Sequence, residues 1–380
     1  LGSATPDVES RYHAEEGRYA WFTLPDRYNE RSLPQVQVVD MKNELRRGND
    51  GCISLRLKTE LERNLEAGEQ SILFLNRRGA NRLIACGNCG FTYRCPNCSV
   101  SLTYHSFTRR LMCHHCGYTK PLDESCPECG GVLYHVGVGT QKVEEELGEL
   151  FPGVKVLRMD TDTVTPAGGH DVLLERFREE KIPIMVGTQM VTKGLNFENV
   201  TLVGVILADQ SLYAADYRAA ERTFSLITQV VGRSGRFEKP GRAVIQTYTP
   251  ANETICQAAA QDYESFYRSE IELRRLEALP PFTELLSVTM SGLLEDRVHA
   301  CAARARDELM YLTGSTPGTR VLGPAPLSIL KVNNKYRYRV TLCAPPGTGM
   351  RRVVADLVER FGSDKKYRGV SVYADTNPSD

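Results

Sequence analysis

Apolar residues along this chain of 380 fall into short runs, separated by longer stretches of helical period. SILFLN (71–76), VKVLRMD (154–160), PIMVGT (183–188), VTLVGVILAD (200–209) and RAVIQTY (242–248) are each brief and bounded by polar residues. That is how a strand buried on both faces of a parallel sheet reads. Between them the period changes. Leucines at 55, 57, 61 and 65 set among charges predict a helix over about 54–66, and further amphipathic helices follow after Gly137, over about 170–180 and over about 216–231. Strands alternating with helices predict an α/β fold, a parallel sheet covered on both faces. Residues 1–70 open on LGSATP as a strand-to-loop piece and continue as a polar linker through WFTLP and RSLPQVQVVD. After a helix ending at RRLEALPP, the last block reads TELLSVTMSG, a helix over about 295–312, VLGPAPLSILKV, YRYRVTLCAP, a helix over about 349–361, and YRGVSVYAD. The order is βαββαβ, the split-βαβ, ferredoxin-like arrangement.

The alternation breaks off between Cys86 and Cys129, where CGNC, CPNC, CHHC and CPEC use eight of the twelve cysteines. From Cys86 to Val132 aliphatic residues are too few to offset the entropy of ordering the chain. Structural zinc, worth roughly 10–16 kcal/mol, supplies that deficit as folding energy. Four thiolates hold one zinc tetrahedrally, so eight ligands predict two closed structural sites. Disulfides, a redox pair or loose loops are the competing readings. Four pairs, with Pro96, Gly117, Pro127 and Gly130 at knuckle positions, weigh against them. Five residues between Cys89 and Cys95 are cramped for two knuckles to face each other, whereas SVSLTYHSFTRRLM, between Cys98 and Cys113, suits a β-hairpin. The expectation is therefore a nested pairing, Cys86, Cys89, Cys126 and Cys129 on one zinc and Cys95, Cys98, Cys113 and Cys116 on the other. Sequential and cross-braced pairings stay open. His114 and His115 read as spacers, and Cys52, Cys256, Cys301 and Cys343 as packed residues. Tyr93, Arg94, Tyr104, His105, Phe107, Arg109 and Arg110 form an aromatic and basic set fit to stack bases and meet phosphates. A protein-docking face or a rigid wedge is the alternative.

Charge adds little. Lysines plus arginines equal aspartates plus glutamates, 47 each, so any polyanion must be met by local patches. One such run is Lys331, Lys335, Arg337 and Arg339 with Tyr336 and Tyr338 interleaved. Alternation along a strand places phosphate contacts on one face and base stacking on the other, or else marks a solvated sheet edge charged against pairing. Arg351 and Arg352, near a helix start, are further candidates for such contacts. No run approaches the roughly 18 apolar residues of a membrane span, and the given sequence does not open on a signal-peptide pattern. Thiols kept as metal ligands suit a reducing cytoplasm. Leu1 is not a methionine and LGSATP reads like the middle of a domain, so a fragment of a longer protein is expected.

Four stretches point to chemistry: LGSATP (1–6), VGTQMVTKGLNF (186–197), Ala208-Asp209 at a strand end, and QVVGRSGR (229–236). In the last, Arg233 and Arg236 share one side of a helix end, where paired guanidinium groups reach across a cleft to a transferring phosphoryl group and Gln229 orients water beside them. Singly, SAT or GTQ is an ordinary loop; QxxGRxGR after GTQxxxKG is specific.

With the cysteine segment set between the first strand and the GVGTQ turn, the chain resembles the superfamily 2 DNA helicases. More narrowly it resembles the primosomal protein N′ family of bacterial replication-restart helicases, over essentially its whole length. The resemblance implies a RecA-like helicase lobe 2 over 71–85 and 134–255, interrupted by a zinc-binding insertion over 86–133. It further implies the end of lobe 1 and a linker over 1–70, a helical connector over 256–280 and the ferredoxin-like domain over 281–380. It implies unwinding from 3′ to 5′ driven by ATP with Mg²⁺, recognition of forked and single-stranded DNA, and contact with single-strand-binding protein and other primosome proteins. A monomer associated with the nucleoid is the corresponding expectation. By position, Gln229, Gly232, Arg233, Gly235 and Arg236 match the arginine-finger motif. Gly187, Thr188, Gln189, Lys193 and Gly194 match the DNA-tracking loop. Arg77, Arg78, Lys335 and Arg337 are expected on DNA, and Gly194, Asn196, Gly232 and Gly235 at the nucleotide. Leu195-Asn196 departs from a common pattern ending in Asp, Ser234 from a common Ala and Gln141 from a common Glu. No GxxxxGK[ST] loop and no DExH acid precede the SAT turn. The expectation is that this chain alone has no measurable ATPase. A zinc-ribbon scaffold without a motor role is the competing reading; a zinc hydrolase is disfavoured, because every ligand set is closed.

Overall fold

The computed structural model describes residues 2–24, 33–75, 83–96, 101–105, 109–113, 116–136, 140–159, 169–188, 197–214, 216–235 and 239–378. Two compact units emerge, Leu1–Phe91 with Ser125–Tyr213 and Ala219–Arg268, and Thr92–Glu124 with Ala214–Arg218 and Ser269–Asp380.

The first unit begins with α1 (Val8–Glu15), β1 (Gln35–Asp40), α2 (Met41–Arg46), α3 (Leu55–Glu66), β2 (Gln70–Leu75) and β3 (Leu83–Cys86). The second unit then contributes β4 (Thr103–His105), β5 (Arg110–Met112) and β6 (Thr119–Pro121). The first resumes with β7 (Leu133–Val136), α4 (Thr140–Leu150), β8 (Val156–Met159), α5 (Gly169–Glu179), β9 (Ile184–Gly187), β10 (Val200–Ile206), α6 (Ala219–Val231), β11 (Arg242–Thr247) and α7 (Glu253–Ala260). Its main sheet runs β1-β11-β10-β2-β9-β8, six strands, all parallel. Every residue of β2 and β10 is buried, as continuous apolar runs require. Ser54 caps α3, accepting from the Leu57 amide, so that Leu57 and Leu61 face the sheet. With Leu73, Ile184, Leu202 and Ile206 they form its core, each fully buried aliphatic side chain worth about 1.5–3 kcal/mol.

Three elements, α1, β1 and α2, lie inside the stretch read as linker. β1 joins the sheet edge in parallel register, Gln35 opposite Arg242 through Asp40 opposite Thr247. It was missed because much of it is exposed, and an exposed edge needs no apolar run. α1 is a helix capped by Asp7, which accepts from the Ser10 amide at 2.8 Å. β10 also ends earlier than its apolar run, at Ile206: Leu207 is left-handed (φ 53°) and a 3₁₀ turn spans Ala208–Ser211.

α8 (Tyr263–Leu276) leads into the second unit, where β12 (Glu284–Gly292), α9 (Glu295–Thr313), β13 (Arg320–Val332), β14 (Lys335–Ala344), α10 (Met350–Ser363) and β15 (Val370–Thr376) follow. This is the βαββαβ order read from the sequence. The sheet is antiparallel, β13-β14-β12-β15, with Leu286, Val288 and Met290 facing Val298, Leu309 and Leu357 of the helices. β14 is therefore central, paired on both sides, and charge on it does not guard an open edge. Nor are both its faces open. Tyr338 donates to Glu295 Oε1 at 2.8 Å and packs edge-on against His299, which places it on the helix side and rules it out for stacking bases. Burial, reinforced by the Glu295 carboxylate, pushes its phenol up. No described helix is long and apolar enough to cross a membrane.

Candidate metal centre and motor motifs

Three of the four Cys-x-x-Cys turns are built alike. The first cysteine's amide donates five residues ahead, to Phe91, Tyr118 and Gly131 carbonyls at 2.8–2.9 Å. A glycine amide after the second cysteine donates back: Gly90 to Cys86, Gly117 to Cys113 and Gly130 to Cys126. Those glycines sit at φ 69–77°, the left-handed conformation that closes so tight a turn. The fourth turn, with Cys98, lies outside the described residues, as do His114, His115 and Phe107.

The sulfurs converge in the nested arrangement. Cys86, Cys89, Cys126 and Cys129 lie within 4.8 Å of one another, and so do Cys95, Cys113 and Cys116. Cys86 lies 3.5 Å from Cys129, Cys89 3.7 Å from Cys126 and Cys95 3.5 Å from Cys116, sulfur to sulfur. A zinc tetrahedron with bonds of about 2.3 Å needs an edge of about 3.8 Å, so the donor set fits zinc; none of the described cysteines is in a disulfide. Burial opposes ionisation of Cys86, but backbone N–H groups of Cys89 and Asn88 aimed at its sulfur bring it down to about 7. β3 and β7 pair antiparallel from Leu83 opposite Val136 to Cys86 opposite Leu133 and close the base of the first cluster. In the second unit β4, β5 and β6 form a three-stranded sheet where the sequence suggested a hairpin.

Tyr93 is not available to a base. It is 3% exposed, donates to Asp123 Oδ2 at 2.8 Å and lies under Lys120, whose Nζ is 4.8 Å from the ring centroid. Hydrogen bonds from Lys120 and Tyr93 hold the Asp123 carboxyl below its ordinary range. Arg94, Arg109 and Arg110 are exposed.

The motor motifs meet on α6. Ser225 and Gln229, one turn apart, share a face, and Gln229 Nε2 donates to Ser225 Oγ at 2.9 Å and to Thr5 Oγ1 at 3.4 Å. The Thr5 and Ser225 hydroxyls share a hydrogen bond of 2.8 Å, so the SAT turn is tied to the helix that carries QVVGRSGR. Ser225 escaped the sequence reading, although its position four residues before Gln229 was the available signal. Beyond Val231 the chain turns back. Arg233 and Ser234 amides donate to Val230 and Val231, and the Gly235 amide reaches Val200 O at the start of β10. Gly235 has φ 66°, and a Cβ there would run into the Gly241 backbone; packing alone accounts for glycine at this position. Ser234 is fully buried and donates to Val231 O. Thr188 follows β9, buried, its amide donating to Met159 O at 3.3 Å. Arg236, Gln189, Lys193, Gly194, Asn196, Arg77 and Arg78 lie outside the described residues.

Asp209, 1% exposed, explains the early end of β10. Its carboxylate accepts from Thr247 Oγ1 at 2.6 Å, from the Tyr248 amide at 2.7 Å, from the Thr249 amide at 3.1 Å and from the Thr249 hydroxyl. Of the candidate DNA contacts on β14, Lys335 is exposed, whereas Arg337 donates from Nη2 to the Ile329 carbonyl at 2.7 Å.

Family models match in three places: the PriA DNA helicase Cys-rich region over 95–121, the helicase conserved C-terminal domain over 135–238, and the primosomal protein N C-terminal domain over 275–379. Replication restart protein PriA of Bacillus subtilis is 42% identical over 380 residues, covering 100% of this chain and 47% of the relative. That of Treponema pallidum is 37% identical over 380 residues, covering 100% of this chain and 56% of the relative. The chain thus spans about half the length of the curated relatives it matches. Among solved structures, Saccharomyces cerevisiae Dbp5 bound to RNA and ADP BeF3 is 14% identical with a TM-score of 0.34, covering 73% of this chain and 52% of that one. A likeness at that level does not bear on function. The cysteine-rich region, helicase lobe and C-terminal domain fall in order, and identity of 37–42% extends across the whole chain: it belongs to the PriA family of replication restart proteins.

Proposed function

We propose that this chain is the C-terminal portion of an ATP-dependent DNA helicase that unwinds from 3′ to 5′, recognises stalled or repaired forks and assembles the primosome for replication restart. The observation that carries the reading is the hydrogen-bonded triad of Thr5, Ser225 and Gln229, joining the SAT turn to the QVVGRSGR helix. A scaffold has no need to wire these two motifs together. In this proposal Arg233 and Arg236 present positive charge to the γ-phosphoryl group, the Gln229 triad carries the state of that site to the SAT turn, and the loop after Thr188 follows the DNA strand. ATP with Mg²⁺ supplies the hydrolysable phosphoanhydride when bound. Two zinc ions, one in each cysteine cluster, hold the ribbon in shape and take no part in hydrolysis. The work belongs to the cytoplasm, at the nucleoid, as a monomer, with single-strand-binding protein and other primosome proteins as partners.

The test uses the chain joined to its upstream lobe. DNA-stimulated ATP hydrolysis is expected to fall about 10³-fold or more on Arg236→Ala, while this chain by itself turns over no ATP. Unchanged turnover in the variant removes the central residue of the helicase reading and leaves the scaffold.

A further inference from the structure

From Leu309 to Ala355 the chain carries no aspartate or glutamate in 47 residues, but seven cations: Arg320, Lys331, Lys335, Arg337, Arg339, Arg351 and Arg352. In a chain of zero net charge this is a strong local asymmetry. Its centre is the β13–β14 hairpin. The pairing of β14 with β12 stops at Tyr336 opposite Gly292, so the ribbon beyond it runs past its neighbour. Asn333 and Asn334, at φ 49° and 61°, form the tight turn at its end, as a twisted two-residue hairpin loop requires. Pairing between the two strands shifts between Pro326 and Lys331, leaving Leu327 to Leu330 as a bulge. Arg337 holds that bulge open through its bond to the Ile329 carbonyl. Ile329 is 58% exposed and Val332 37% exposed. Lys331 and Lys335 flank Val332, Lys331 with its Nζ 4.8 Å from the Tyr336 ring centroid, and among the described residues neither is salt-bridged to a carboxylate.

We infer that this hairpin is a branch-sensing arm for DNA, with Lys331 and Lys335 on backbone phosphates and Ile329 as an apolar wedge against an unstacked base step. The inference rests on the proposed DNA role of the C-terminal domain and gives it a site. A ribbon of cations favours a polyanion, and an exposed aliphatic side chain beside them is the device by which architectural proteins enter an opened step. Branched DNA offers such a step without the cost of unstacking an intact helix. Arg337 is a positioning residue, its guanidinium committed to the bulge.

The experiment titrates the whole chain with fluorescent branched and linear duplexes, the former carrying 2-aminopurine at the branch. Binding is expected to brighten the aminopurine. Ile329→Ser abolishes the brightening and lowers the preference for branched DNA about fivefold, leaving linear affinity within about twofold. Lys331→Ala with Lys335→Ala weakens both DNAs about tenfold at moderate salt and reduces the salt slope by about 2. All three positions are exposed, so melting temperatures stay at the parent value. If Ile329→Ser keeps the brightening, the wedge is overturned and the DNA role of the domain survives. DNA binding indifferent to every hairpin variant overturns the arm alone. A parent chain that binds neither DNA sinks both readings. Loss of binding to a labelled acidic peptide in the lysine variant, with DNA binding intact, reassigns the arm to a protein partner.

Discussion

Asp209 shows how one carboxylate sets a strand boundary. Two hydroxyls and two amides from Thr247, Tyr248 and Thr249 converge on it, and the chain leaves β10 in a left-handed step to bring it there. Asparagine in its place offers one acceptor and turns an NH₂ toward donors. Asp209→Asn is expected to destabilise the first unit by about 2–3 kcal/mol, read as a lower urea midpoint. An unchanged midpoint contradicts this account. The sequence shows Asp209 only as the polar end of an apolar run, because its partners lie about 40 residues away. Gly235 carries a second constraint. Inside QVVGRSGR it reads as a nucleotide contact; its backbone also packs against Gly241, and no local signal announces that approach.

Secondary structure was legible where burial is two-sided. β2, β9 and β10 are continuous apolar runs because water reaches neither face. β1 was not, since an exposed edge strand leaves no such trace. The zinc turns repeat a Cys-x-x-Cys-Gly unit that sequence shows at once for Cys86, Cys113 and Cys126, whereas the choice of partner turn depends on how far the intervening chain reaches. Zinc content separates the pairings. Nested pairing predicts that Cys86→Ser with Cys126→Ser keeps one zinc of two, by chelator colour after denaturation, because both changes fall on one site. Sequential or cross-braced pairing loses both. The basic strand was legible as chemistry but not as placement: alternation located its two faces, while only the order β13-β14-β12-β15 shows that the strand is central and its Tyr338 face closed.

For the molecule as a whole, zero net charge concealed a long acid-free stretch, and fold class was easier to read than connectivity. Sequence reads an insertion over 86–133 inside the lobe, and the compact units group residues 92–124 with the C-terminal part, although their flanks belong to the lobe. The first cysteine cluster sits at that departure, since Cys86 and Cys89 precede the excursion and Cys126 and Cys129 follow it. A zinc ion held there would act as a drawstring. It would gather the outgoing and returning backbone at one knot, so that tension on the ribbon would be borne by four sulfur bonds and spared the parallel sheet. Stripping the ion with a chelator should loosen the purse alone, giving early protease cuts between 92 and 124 while the lobe's own peptides resist. Simultaneous digestion of both would mean that the knot bears no such load.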